Sequence, residues 1–103
     1  MHPGFVNAAE MLPMPKLDAL TEAQIGGEVC VWCDRRPRHP LALGPRLSAQ
    51  AGRLRCWHPI AHQRCAAQRA GKVYALHIET CARCIHRDYC MDARALYKLA
   101  LAA

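Results

Sequence analysis

The sequence predicts a small metal-stabilised α+β domain. Three observations predict it: soft ligands paired at short spacing, a chain of only 103 residues, and short strand-like stretches followed by helical ones. Seven Cys and six His occur, and six of the Cys, with His62, cluster as Cys30-Val31-Trp32-Cys33, His62-Gln63-Arg64-Cys65, and Cys81-Ala82-Arg83-Cys84 with Cys90 close behind. A two-residue gap forms a tight turn that lets two ligands converge on one ion, with thiolates at about 2.3 Å. Three such clusters supply two tetrahedral sites, so two zinc ions are expected. Aliphatic side chains are sparse where the Cys are densest, and a small domain of that kind needs a staple.

Disulfides are the rival staple. The odd Cys count argues against them, as does the start of the chain. Residues 1 to 20 carry no basic opening, and Pro3, Pro13 and Pro15 interrupt any apolar run. A reducing, cytoplasmic setting with bound metal is therefore expected. No stretch reaches the roughly 20 apolar residues that span a bilayer, so no membrane partner is expected. Net charge is +6, with Arg far outnumbering Lys. The guanidinium fork suits phosphate and carboxylate, which biases the chain towards nucleic acid or an acidic protein. The competing account is an Ala- and Arg-rich composition in which Arg is the default solubilising residue.

Residues 1 to 27 read as a flexible N-terminal tail, with a short helix over Leu17 to Ile25 ended by Gly26-Gly27. Residues 28 to 103 read as a double zinc-binding domain. Within it, residues 28 to 36 predict a short strand running into a turn, and Pro37 and Pro40 end regular structure. Leu41 to Ile60 predicts a hairpin, with Leu43, Leu47 and Leu54 spaced for short strands and Gly44-Pro45 and Ala51-Gly52 as turns. From His62 onward, Ala66, Ala70, Val73, Tyr74 and His77 recur at helical steps, opposite Gln63, Arg64, Gln68 and Lys72. The rival reading is a strand from Lys72 to Thr80, with Tyr74, Leu76 and Ile78 on one face. A compact turn from Cys81 to Cys90 follows. The last element is a helix from Met91 to Leu101, with Asp92 capping it or opposing its dipole and Leu96, Leu99 and Ala100 as its apolar stripe.

Cys30-x-x-Cys33, a hairpin, then His62-x-x-Cys65 opening a helix: this order resembles a treble-clef zinc finger over residues 28 to 79. In that family a knuckle gives two ligands and the first turn of a helix gives two more. The resemblance thus implies Cys30, Cys33, His62 and Cys65 as one set. Thiolates at a helix N-terminus also gain from its dipole. Cys56 and His58 compete with His62 but lack its two-residue gap to Cys65.

Cys81, Cys84 and Cys90 form the second set, with a fourth ligand from His77, His86 or Cys56. His77 makes a His-x3-Cys-x2-Cys string that resembles the motif of zinc-binding anti-sigma factors. With Cys56 instead, Cys56-x24-Cys81-x2-Cys84-x5-Cys90 resembles the cluster motif of WhiB-like regulators, which hold a [4Fe-4S] cluster and contact a sigma factor. The Gly-Val/Ile-Trp-Gly-Gly turn that this family carries after its last Cys is not in this sequence. These two resemblances imply an RNA polymerase- or sigma-type protein partner.

A catalytic zinc keeps one position open for water, beside a carboxylate base. Here the ligand supply fills two closed sites, and the carboxylates nearby are few: Asp34, Glu79, Asp88 and Asp92. The His-x-Glu and Pro-Cys-x-x-Cys string of zinc deaminases is absent. The expectation is not an enzyme but a binding protein that contacts nucleic acid or the transcription machinery. Arg35, Arg36 and Arg38 after the first knuckle, Arg64 and Arg69 on the helix, and Arg83 and Arg87 in the second knuckle are the phosphate-contacting candidates. One alternative is a protein-interaction module with purely structural zinc, using Leu96, Tyr97 and Leu101 of the last helix. Another is the WhiB-like redox sensor.

Overall fold

A computed structural model describes residues 7–102. The elements in order are α1 (Ala8–Met11), a 3-10 turn (Leu17–Ala19), α2 (Glu22–Ile25), β1 (Leu41–Ala42), β2 (Arg46–Gln50), β3 (Arg53–Trp57), β4 (Ile60–Ala61), α3 (Gln63–Thr80), α4 (Ala82–Ile85) and α5 (Met91–Ala100). The chain divides into two compact units, Pro13–Cys65 and Met1–Leu12 with Ala66–Ala103. Residues 1 to 6 of the expected tail lie outside the described residues. The rest is drawn into the units by burial: Leu12 and Leu17 are almost fully buried, and Gln24 and Ile25 nearly so.

In the Pro13–Cys65 unit, α2 is short but well defined at both ends. Thr21 Oγ1 accepts from the Gln24 amide N–H at 3.2 Å, and Gln24 Oε1 accepts from the Thr21 N–H at 2.8 Å. This reciprocal capping box satisfies two donors that a helix start leaves free. Gly26 ends the helix, as the sequence suggests, but the single helix expected over Leu17 to Ile25 is split into the 3-10 turn and α2 by the extended Leu20 and Thr21. The strand expected at residues 28 to 36 is reduced to a single bridge, Cys30 beside Ile60. Its backbone turns on itself instead: Cys30 N–H donates to the Arg35 carbonyl at 2.8 Å and Asp34 N–H to the Cys30 carbonyl at 3.0 Å. Val31 N–H reaches across, to the Ile60 carbonyl at 2.9 Å.

Two small antiparallel pairs follow. β1 pairs with β4, Leu41 opposite Ala61, and β2 pairs with β3, from Arg46 opposite Trp57 to Gln50 opposite Arg53. The turn between β2 and β3 is Ala51-Gly52, with φ of 52° and 78°. Positive φ at both positions matches the right-handed twist of a two-residue hairpin. The core of this unit gathers Leu17, Ile25, Val31, Leu43, Trp57 and Ala61. The Trp57 indole N–H is satisfied by Ser48 Oγ at 3.0 Å.

In the other unit, the stretch from Lys72 to Thr80 is helix, not strand. Ala66 and Ala70 of α3 are buried, Val73, Tyr74 and His77 half-buried, and Gln68 and Lys72 exposed. Leu96 of α5 is fully buried, Leu99 and Ala100 are half-buried, and α1 packs against α5. Asp92 lies in the first turn of α5 without capping it. Cys90 holds the N-cap position, and its side chain makes no cap bond. Asp92 therefore acts through the helix dipole alone.

Tyr74 and Tyr97 meet with ring centroids 5.4 Å apart and planes at 49°, a tilted geometry that aromatic pairs favour. One turn earlier on α3, a Cβ built on Gly71 would lie 4.0 Å from Ala100 Cβ, an ordinary van der Waals contact. Gly71→Ala is expected to stabilise the protein by about 0.4–1 kcal/mol, because Ala restricts the unfolded chain and fits the helix. Thermal or urea unfolding of the metal-loaded protein checks this. A lowered midpoint would mean that the methyl is not accommodated. No helix of the described residues is long and apolar enough to cross a membrane.

Candidate metal centres

Cys30, Cys33, His62 and Cys65 form the first group. One ligand atom from each lies within 4.8 Å of all the others. The knuckle between α2 and β1 supplies Cys30 and Cys33. His62 directly precedes α3, and Cys65 lies in its first turn.

The knuckle is shaped by its backbone. N–H groups of Cys33, His62 and Trp32 point at the Cys30 sulfur. Asp34 closes the turn at φ 60°, a left-handed conformation that Asp tolerates better than most side chains. Behind it, the Gln24 side-chain amide donates to the carbonyls of Cys30 at 3.3 Å and Val31 at 3.0 Å. Gly27 sits at φ 74°, where a Cβ would come within 2.9 Å of the His58 carbonyl, so only glycine fits.

Gln24→Ala removes both amide bonds from a buried position. It is expected to cost about 1–3 kcal/mol and to weaken metal retention by the first group while leaving the second unchanged. Unfolding curves and a competitive chelator titration read the two effects. Unaltered retention would show that the amide braces α2 and not the knuckle.

His62 Nδ1 lies 3.2 Å from Cys33 Sγ. A tetrahedral ion with zinc's bond lengths sets N and S roughly 3.5 Å apart and two sulfurs roughly 3.8 Å apart. The group thus has the spread such an ion needs, within small adjustments. Its electrostatics are uneven. Burial opposes ionisation of Cys30, but the three backbone N–H groups and the His62 ring outweigh it and lower the thiol to about 6. Burial, then the Cys30 and Cys33 sulfurs, push Cys65 up to about 12. One thiolate forms readily, and further ones require a compensating cation, as expected where several sulfurs crowd one point.

His77, Cys81, Cys84 and Cys90 form the second group, again with ligand atoms within 4.8 Å of one another. His77 is in the last turn of α3, Cys81 holds the N-cap position of α4, Cys84 lies on α4, and Cys90 holds the N-cap position of α5. The Cys81 N–H donates to the His77 carbonyl at 2.8 Å, which continues the helix and puts both side chains on one face. His77 Nε2 lies 3.3 Å from Cys90 Sγ.

The local device repeats that of the first knuckle. N–H groups of Cys84 and Arg83 point at the Cys81 sulfur and lower its pKa, while desolvation and the Cys90 and Cys81 thiols raise Cys84 to about 11. In both knuckles the leading Cys accepts from the N–H groups two and three residues on. Arg87, at φ 60°, turns the chain back towards Cys90.

The other candidates for a fourth ligand, Cys56, His58 and His86, are all exposed, and none joins either group among the described residues. Cys56 lies on β3 opposite Leu47. All seven Cys are free thiols, with no disulfide. Arg35, Arg36, Arg38, Arg64, Arg69, Arg83 and Arg87 are exposed. Arg38 and Arg64 line a depression of about 370 Å³ at the first group, together with His39, His62 and Cys65. The Arg loop is anchored by Pro37, which is buried.

Sequence reading did not find the roles of Gln24 and Gly27. The Thr21-x-x-Gln24 capping box was readable in the sequence, but the reach of the Gln24 amide to the knuckle carbonyls was not. Each group offers four protein ligand atoms, the number a tetrahedral ion takes. The described structure thus holds two Cys3His groups that could bind metal ions. No protein-family model matches the chain, and no curated protein or solved structure matches it either.

Proposed function

We propose that this is a zinc-stabilised binding module in which both ions are structural. The observation that carries this reading is the convergence of eight ligand atoms into two groups, each within 4.8 Å. Three thiolates and one imidazole per site suit zinc better than hard cations, which prefer oxygen. The order of knuckle, hairpin and helix N-terminus supports a treble-clef arrangement for the first site. Closed shells favour a binding role over catalysis, and seven free thiols favour a reducing compartment such as the cytoplasm.

Nucleic acid is the ligand class that the exposed Arg side chains around the first centre favour. Arg35, Arg36 and Arg38 follow the knuckle directly, so metal binding would fix their placement at little entropic cost. Two zinc ions per chain and no visible absorption are expected of protein purified without oxygen. Brown protein would replace zinc by an iron–sulfur cluster in at least one site. Replacing Arg35, Arg36 and Arg38 by Ala should weaken binding to DNA or RNA of any sequence. It should also flatten the salt dependence by about one for each phosphate left without its Arg. Metal content should stay unchanged. If the wild type binds neither nucleic acid at low salt, this reading fails.

A second reading is a protein-interaction module that uses α5, including a contact with an RNA polymerase- or sigma-type protein. It is favoured by Tyr97 and Leu101, which are 50% and 67% exposed, whereas Leu96, also expected on that surface, is fully buried and takes no part in it. An apolar helix contact would persist at salt concentrations that abolish phosphate binding.

A further inference from the structure

The β2–β3 hairpin is patterned inside out. By register, Leu47 and Ala49 of β2 share one face with Leu54 and Cys56 of β3. That face is open to solvent, with Leu47 65% and Leu54 72% exposed. The polar side chains occupy the opposite face and are used within the unit. The Arg46 guanidinium donates to the Leu43 carbonyl at 3.1 and 2.9 Å, Trp57 to Ser48 at 3.0 Å, and Arg55 to Gln50 at 3.1 Å. A slip of one residue would exchange the two faces. These polar contacts hold the register that keeps the leucines outward. Natural hairpins on a domain surface usually show the reverse alternation, and a contiguous outward apolar set marks a contact surface.

β3 is the more open strand. Its first four residues are all exposed, and among the described residues its sheet contains only β2 and β3. β2, by contrast, packs against the Leu17–Ala19 turn. Charge indicates what lies alongside β3. Between Asp34 and Glu79 the sequence contains no Asp or Glu, while eight Arg and one Lys fall in the same stretch. Arg53 and Arg55 are exposed on β3 itself, and with Leu54 they line a depression of about 650 Å³ at the end of the hairpin, where Asp18 is the single carboxylate against two guanidinium groups. A second copy of the chain would set these Arg residues against their own equivalents. An acidic chain would meet them with carboxylates.

We propose that the hairpin docks an extended acidic segment of another protein, which adds alongside β3 as a third strand. Its backbone pairs with the open edge of β3. Alternate apolar side chains extend the Leu54–Cys56 face, and carboxylates on the other face meet Arg53 and Arg55. This surface shares no residue with either metal centre or with the Arg loop after the first knuckle.

The test uses the full metal-loaded chain and a peptide of alternating Val and Glu, about eight residues long to match one strand. Amide NMR and hydrogen exchange are the readouts. Saturable shifts and slowed exchange are expected in Arg53–Trp57. A Val–Lys peptide should bind roughly tenfold or more weakly, as should the Val–Glu peptide to R53E/R55E and to Leu54→Ser, with metal content unchanged. Leu54 is exposed, so that variant keeps its fold. The proposal is overturned if the peptide perturbs residues outside the hairpin, if both peptides bind alike, or if no saturable binding occurs. It is equally overturned if the same amides are protected by raising protein concentration alone. Perturbation of Arg53–Trp57 by a mixed-sequence oligonucleotide but not by the peptide would also overturn it.

Discussion

Cys33→Ser is expected to unfold the Pro13–Cys65 unit and to remove one metal equivalent from the chain. Cys33 is exposed, whereas Cys30 is fully buried. Loss of the Cys33 sulfur therefore changes little in the apolar core, and what the variant reports is the metal. The ion would tie a turn at residues 30–33 to the helix start at 62–65, across a separation of 29 residues between Cys33 and His62. Structural zinc in finger peptides contributes about 10–16 kcal/mol of apparent binding free energy at neutral pH. The whole net stability of a typical domain is only about 5–15 kcal/mol. A unit whose core is a handful of side chains and two short strand pairs has no such reserve. Circular dichroism and metal stoichiometry decide the matter. Wild-type values for both would refute the first centre. Cys56→Ser is the matched control, an exposed thiol outside both groups, and it should leave metal and fold intact.

The ligand groups were legible because spacing along a chain fixes what a turn can bring together. Cys-x-x-Cys, His-x-x-Cys and His-x3-Cys each specify a turn or one helix face, and they account for seven of the eight ligands, with Cys90 added across the turn after Cys84. α3 was legible for a similar reason, since Ala66 and Ala70 recur at the helical step and are buried. The hairpin and its Ala51-Gly52 turn were also readable, but not which side faces inward. Leu47 and Leu54 have the alternation of a buried face. The contacts of Arg46, Ser48 and Trp57 select the opposite register. Such contacts depend on tertiary partners, Leu43 among them, that periodicity does not contain. The burial near the start of the chain was not readable for the same reason. Pro and Met near the start carry no period, yet Leu17 is buried, in a turn that packs against the distant β2.

Cys84→Ser should have a different outcome from Cys33→Ser, because each ligand group is drawn from a single unit. The variant is expected to lose one metal equivalent and the order of residues 81–90, while Pro13–Cys65 keeps its fold and its ion. Between Cys81 and Cys90 no residue is buried, and the only regular structure is the four-residue α4. A single helical turn is not stable by itself, since nucleation fixes several residues for one hydrogen bond. The segment's order must therefore come from the ion that gathers His77, Cys81, Cys84 and Cys90. α5 has other support, in the fully buried Leu96 and the Tyr74–Tyr97 ring pair. It should lose protection only in part. Hydrogen exchange resolved by residue, together with metal analysis, separates these outcomes. Fast exchange confined to the knuckle and the first turn of α5 is the expected pattern. Retention of both metal equivalents would remove Cys84 from the second centre. Exchange that rises equally in residues 13–65 would show that the two centres do not stabilise their units separately.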